Sequence, residues 1–127
     1  MRIRLASVMV DDQDKALAFY TGVLRFVKKT EIPMGAARWL TVVSPEGPPD
    51  VELLLEPMMF PPAASYQKAL HEAGIPATSF AVDDLASEFA RMTARGVAFR
   101  TPPTKAGPVT IAVFDDTCGN WIQIYQA

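Results

Sequence analysis

Two of the doubled carboxylates in this chain recur in the same setting: Asp11-Asp12 follows Val10, and Asp83-Asp84 follows Val82, 72 positions later. Paired acids can divide acid and base work between them, so this is the first spacing to test for chemistry. Each pair, however, precedes a helix-like run, Lys15-Ala16-Leu17-Ala18-Phe19-Tyr20 and Glu88-Phe89-Ala90-Arg91-Met92. An aspartate just before a helix accepts from the free N–H groups of the first turn and suits the positive end of the dipole. We therefore expect these aspartates to be caps. The other groups that carry chemistry are few: Glu52 in an apolar run, one histidine (His71) and one cysteine (Cys118).

Glu52 has the strongest claim. On a cavity wall it would act as a general base, its pKa raised by apolar neighbours such as Leu54. The plainer alternative is a strand carboxylate paired with Arg4, Arg38 or solvent. His71 is expected to be an exposed residue near a helix C-terminus, where a cation suits the dipole. Cys118, beside Gly119 in a turn, would be exposed and oxidisable; Lys105 or Arg100 are the cations able to lower its pKa. Trp39, Trp121, Tyr125 and Phe60 suit either stacking on an aromatic ligand or ordinary packing. Met58-Met59-Phe60 reads as an adaptable lid or a dimer contact. No serine has a histidine near it in sequence, and no Gly-rich phosphate loop is present.

The elements that would position these groups repeat. Val8-Met9-Val10 has strand character, and the following helix puts Ala16, Leu17, Tyr20, Val23 and Leu24 on one face. Residues 26–30 return to extended character, and 38–43 and 51–56 form a hairpin around Ser44-Pro45-Glu46-Gly47-Pro48-Pro49. Pro61-Pro62 opens a linking helix over 61–74, with Tyr66, Ala69, Leu70 and Ala73 on one face and Gly74 as its stop. The order then recurs: strand 77–82, helix 84–95, extended 97–100, and strands 107–114 and 121–125 around Asp115-Asp116-Thr117-Cys118-Gly119-Asn120. Each half reads β-α-β-β-β. We expect one domain, residues 1–127, built of modules 1–57 and 75–127. A period of this length is a duplicated module rather than a solenoid.

Composition excludes several function classes. The 127 residues are half hydrophobic, with a net charge of −2. No basic surface favours nucleic acid, and Lys28-Lys29 is the only adjacent basic pair. No apolar run approaches the roughly 20 residues of a membrane span, and the N-terminus lacks signal-peptide character. A single cysteine makes neither an internal disulfide nor a structural zinc site. A cytoplasmic setting is expected.

Two motifs carry a resemblance. The first is Val10-Asp11-Asp12 with Ala16, Phe19-Tyr20 and Leu24-Arg25-Phe26; the second is Phe114-Asp115-Asp116-Thr117-Cys118-Gly119-Asn120 with Trp121-Ile122-Gln123-Ile124. With the doubled module, they resemble the vicinal oxygen chelate superfamily, which covers glyoxalase I, extradiol dioxygenases, fosfomycin-resistance enzymes and bleomycin-resistance proteins. Two departures stand out: Arg25 replaces the family's usual glycine, and Thr117 replaces its proline. The resemblance implies an α+β fold in which two β-α-β-β-β modules form a curved mixed sheet around a cavity. Val8, Val10, Leu53, Leu55, Phe80, Val82, Ile122 and Ile124 would then pack on the helices. Their alternates, including Leu5, Ser7, Met9, Glu52, Leu54, Glu56, Ala77, Ser79, Gln123 and Tyr125, would face the cavity.

The family's metal ligands carry over to Leu5, Glu52, Ala77 and Gln123, the duplication matching Leu5 with Ala77 and Glu52 with Gln123. Leucine and alanine donate nothing to a metal, so no family-type metal site and no cofactor are expected. Magnesium held by Glu52 and waters stays open. The resemblance implies a metal-independent binder of an unknown amphipathic or aromatic small molecule, closest to the bleomycin-resistance branch. Its cavity would form with a second subunit in a homodimer, with Ser7, Trp39, Leu54, Ser79, Trp121, Gln123 and Tyr125 as ligand contacts. The alternative is a lyase or isomerase resembling glyoxalase I, with Glu52 as general base or residual metal ligand.

Overall fold

The computed structural model describes all 127 residues. The element order is β1 (Leu5–Val10), α1 (Gln13–Gly22), β2 (Val27–Met34), β3 (Ala37–Val43), β4 (Glu52–Pro57), α2 (Pro61–Ala73), β5 (Thr78–Ala81), α3 (Leu85–Ala94), β6 (Phe99–Ala106), β7 (Val109–Asp115) and β8 (Trp121–Gln126). This is the doubled β-α-β-β-β arrangement read from the sequence. Two compact units share the chain, Met1–Ser65 and Tyr66–Ala127, so the division falls inside α2. No helix is long and apolar enough to cross a membrane.

In the first unit the strand order is β1-β4-β3-β2, with β1 parallel to β4 and the other pairs antiparallel. Helix α1 packs on one face through Ala16, Phe19 and Tyr20, and Val8, Val10, Leu40, Val42 and Leu55 complete that core. Asp12 caps α1 by accepting from the Lys15 N–H at 2.9 Å. Gln13 then fixes the helix on the sheet. Its amide donates to the carbonyls of Arg38 (2.7 Å) and Leu55 (2.9 Å) and accepts from the Arg38 N–H at 3.1 Å.

The second unit repeats the plan with strand order β5-β8-β7-β6. Asp84 caps α3 by accepting from the Ser87 N–H at 3.1 Å. Phe89, Phe99 and Phe114 form an aromatic chain, with centroids 4.6 and 5.6 Å apart, and Leu85, Met92, Ile122 and Ile124 are buried. Strand β6 is much longer than the four residues expected from sequence. Pro102 and Pro103 mask it there, yet both are tolerated because β6 is an edge strand.

Three sequence expectations fail in this unit, all around α2. The helix buries Ala63 and Gln67 rather than the Tyr66 face; Tyr66 is 65% exposed. The reason is polar. Gln67 Nε2 donates to the Cys118 carbonyl and to Asn120 Oδ1, both at 3.1 Å, tying the helix to the β7–β8 turn. Cys118 is fully buried rather than exposed, because that turn folds inward around Asp116. The buried Asp116 carboxylate accepts from the N–H of Cys118 (2.7 Å) and Asn120 (3.0 Å) and from Asn120 Nδ2 (2.8 Å). His71, expected to be exposed, is half-buried with its ring stacked on Trp121.

The two motif departures have different outcomes. Arg25 takes φ 64°, so an arginine occupies the left-handed conformation that suits glycine. Thr117 also has φ 64°, a value no proline ring can reach, so it is not a stand-in for proline.

Gly119 allows the turn to close. Its φ is +97°, and an added Cβ would lie 2.5 Å from Gln67 Oε1, on a side chain already held by two hydrogen bonds. Gly119→Ala is expected to destabilise the protein by about 1–3 kcal/mol. Urea unfolding of the purified variant measures it, and a stability equal to wild type would show that Gln67 is not fixed there.

Candidate functional site

Each sheet has one face on its helix and one turned away, and ladder register assigns residues to the second face. In the first unit Leu5 lies opposite Glu52 and Ser7 opposite Leu54, Leu54 opposite Thr41, and Thr41 opposite Thr30. Alternation adds Trp39, whose partner is Ile32. Leu5, Ser7, Trp39, Glu52 and Leu54 therefore share a face, as alternation along each strand requires. Leu5 and Ser7 are exposed, Trp39 and Glu52 half-buried, and Leu54 buried.

In the second unit Ser79 lies opposite Gln123, Gln123 opposite Val113, and Val113 opposite Thr101. Gln123 Nε2 donates to Ser79 Oγ at 3.1 Å. Trp121 and Tyr125 flank Gln123 along β8 on the same face, all three half-buried. Ala77 stands just before β5, its N–H bonded to the Trp121 carbonyl at 2.9 Å.

This register corrects one correspondence. The row Ser7–Leu54–Thr41–Thr30 has its counterpart in Ser79–Gln123–Val113–Thr101. Gln123 thus occupies the place of Leu54, and Trp121 that of Glu52. Matching Glu52 with Gln123 placed them two residues out of step, because sequence similarity between the halves is too weak to fix β4 against β8. The signal that would have set it is the pair of threonines, Thr30 and Thr101, at the same level of each sheet.

Glu52 also differs in electrostatic character from expectation. It is not paired with arginine: Arg4 meets Asp50 at 3.1 Å, and Arg38 meets Asp14 at 2.5 Å and Glu31 at 2.6 Å. Instead its Oε1 accepts from the hydroxyls of Thr41 (2.6 Å) and Thr30 (3.2 Å). The Thr41 bond, the Thr30 bond and the charge of Lys29 hold the carboxyl below its ordinary value, outweighing the opposing effect of partial burial. Leu54 and its apolar neighbours do not raise it. No group of three or more His, Cys, Asp or Glu side chains is placed to converge on one cation.

Around Trp121 the second unit has a cluster that sequence did not anticipate. The His71 ring stacks on the indole at 4.7 Å and 8°, the indole N–H donates to the His71 carbonyl at 3.0 Å, and the Arg100 guanidinium carbon lies 5.3 Å from the ring centroid. Phe60, by contrast, is 69% exposed and Met59 67%, neither gathered into these faces.

A depressed carboxyl pKa stabilises the fold above the unfolded value of 4.5, and that stabilisation is lost as the pH falls through the folded value. Thr41→Val removes the shorter bond. It should cost about 1 kcal/mol at neutral pH. The deficit should shrink below pH 4.5, where Glu52 is protonated in the unfolded chain. Urea unfolding across acidic pH, with a carbon-13 titration of the Glu52 carboxyl moving upward in the variant, tests both parts.

Residues 2–124 match the Glyoxalase/Bleomycin resistance protein/Dioxygenase superfamily. The chain is 55% identical over 126 residues to an uncharacterized protein, YurT, of Bacillus subtilis (strain 168), covering 99% of each. The crystal structure of UcmS2 is similar at a TM-score of 0.83 and 32% identity, over 98% of this chain and 97% of that one. TnmS3, an antibiotic binding protein from Streptomyces sp. CB03234, is similar at a TM-score of 0.79 and 29% identity, over 99% and 95%. The chain therefore belongs to the glyoxalase, bleomycin-resistance and dioxygenase superfamily.

Proposed function

We propose that this protein binds a small amphipathic or aromatic molecule without a metal ion, in a cavity completed by a second copy of the chain. The observation that carries the reading is the second unit's outer face, where Trp121 and Tyr125 bracket Gln123 along β8 and Ser79 lies beside Gln123 on β5. Aromatic surface interrupted by a few oriented polar groups is the usual lining of a small-molecule site. The likeness to TnmS3, an antibiotic binding protein, supports the same reading. In the first unit Leu5, Ile32 and Met34 are exposed apolar residues on the Trp39 face, which suits cover by a partner.

The lyase or isomerase alternative draws no comparable support. A general base working near neutral pH needs a carboxyl raised toward 7. Glu52 is displaced the other way and already accepts from two threonines.

Titration calorimetry with a panel of planar aromatic antibiotics in excess chelator tests the proposal. Saturable, stoichiometric binding without turnover is expected, unchanged by chelation, and Tyr125→Ala should weaken it about tenfold. Analytical ultracentrifugation should give a dimer. Binding that disappears on chelation, or turnover that Glu52→Gln abolishes, would overturn it.

A further inference from the structure

The two units share a backbone irregularity that points to a ligand group. In β2 the ladder shifts between Lys28 and Thr30, leaving Lys29 as the extra residue; in β6 it shifts between Phe99 and Thr101, leaving Arg100. A bulge re-aims the side chain it carries. A cation therefore occupies the same bulge in both sheets, one residue before the equivalent threonines Thr30 and Thr101. Its neighbour across the sheet differs. In the first unit the equivalent position on β4 is Glu52, whose carboxyl feels the Lys29 charge. In the second unit the equivalent position on β8 is Trp121, and Arg100 lies over its ring.

Lys29 is satisfied: it donates to the Pro49 carbonyl at 2.6 Å as well as facing Glu52. Arg100 makes no hydrogen bond or ion pair and is exposed. It is nonetheless held in place. Its Nη2 would be 2.5 Å from a Cβ at Gly74, so the guanidinium rests against bare backbone at the end of α2 on one side and near the indole on another. A guanidinium on an aromatic surface keeps its N–H edge available for two parallel bonds to a carboxylate.

We infer that Arg100 and Trp121 form a recognition site for the carboxylate of an aromatic ligand, which supplies from outside the negative charge that Glu52 supplies in the first unit. This rests on the small-molecule reading above and narrows it to aromatic acids. Tyr125 and Gln123, further along the same face of β8, would take the body of the ligand.

The test compares 2-naphthoate with its uncharged amide, 2-naphthamide, by titration calorimetry at pH 7 on the intact protein. The carboxylate should bind about tenfold more tightly than the amide, with a preference that falls as salt rises. Arg100→Gln should make the two probes bind alike, and Arg100→Lys should keep part of the preference. Melting curves check that both variants are folded. If the wild type binds both probes equally, or Arg100→Gln keeps the preference, the inference is wrong while the binding reading stands. If neither probe binds at millimolar concentration while the antibiotic panel binds, the inference is wrong and the binding reading stands; if the panel also fails to bind, both fall.

Discussion

The second unit depends on one buried carboxylate. Asp116 is fully inaccessible, and a charge taken out of water is tolerable only when its lone pairs are met by donors. Here the donors come from within four residues, from the N–H groups of Cys118 and Asn120 and the Asn120 amide. To bring them round, Thr117 must turn through a left-handed conformation and Cys118 must go inside. Asn120 then presents its oxygen to Gln67, and α2 is fixed against the turn. Once α2 is there, its last turn meets Trp121 through both the ring and the carbonyl of His71. The indole's orientation thus follows from a carboxylate five residues earlier.

Much of this was legible in the sequence and some was not, for reasons that differ by residue. The caps at Asp12 and Asp84 were readable because capping is local: the acceptor and donor lie three residues apart. The sorting of residues within each strand was readable because alternation is a strict period of two, whereas which side meets the helix rested partly on the resemblance. The Gln67 anchor was not, since its partners lie 51 and 53 positions away and a helix pattern sees only its own face. Glu52 falls on the face that alternation along β4 gives it, but its pKa is displaced downward where the sequence suggested upward. Leu54 is its neighbour in sequence, whereas the threonines that set its pKa come from β2 and β3. In the sequence Arg100 is only a cation that could serve Cys118, because nothing in the letters marks the bulge that carries it.

The duplication has kept its backbone more faithfully than its chemistry. Both modules retain the cap, the parallel pair of first and last strands, and the bulge after their first helix. Equivalent places on those frames have drifted apart: Glu52 and Trp121, Thr41 and Val113, Leu54 and Gln123. Ladder geometry constrains φ and ψ at each position but leaves the outward side chain free, so one face could diverge without disturbing the core beneath it.

The prolines of the strands fall unevenly, and this limits how either sheet can grow. Strand β2 contains Pro33 and strand β6 contains Pro102 and Pro103, and each forms one border of its sheet. A residue without an N–H breaks the row of donors that an incoming strand would need, which guards those borders against indiscriminate pairing. The opposite borders, β1 and β5, have no proline. A strand approaching either sheet at β2 or β6 therefore meets an interrupted row of donors.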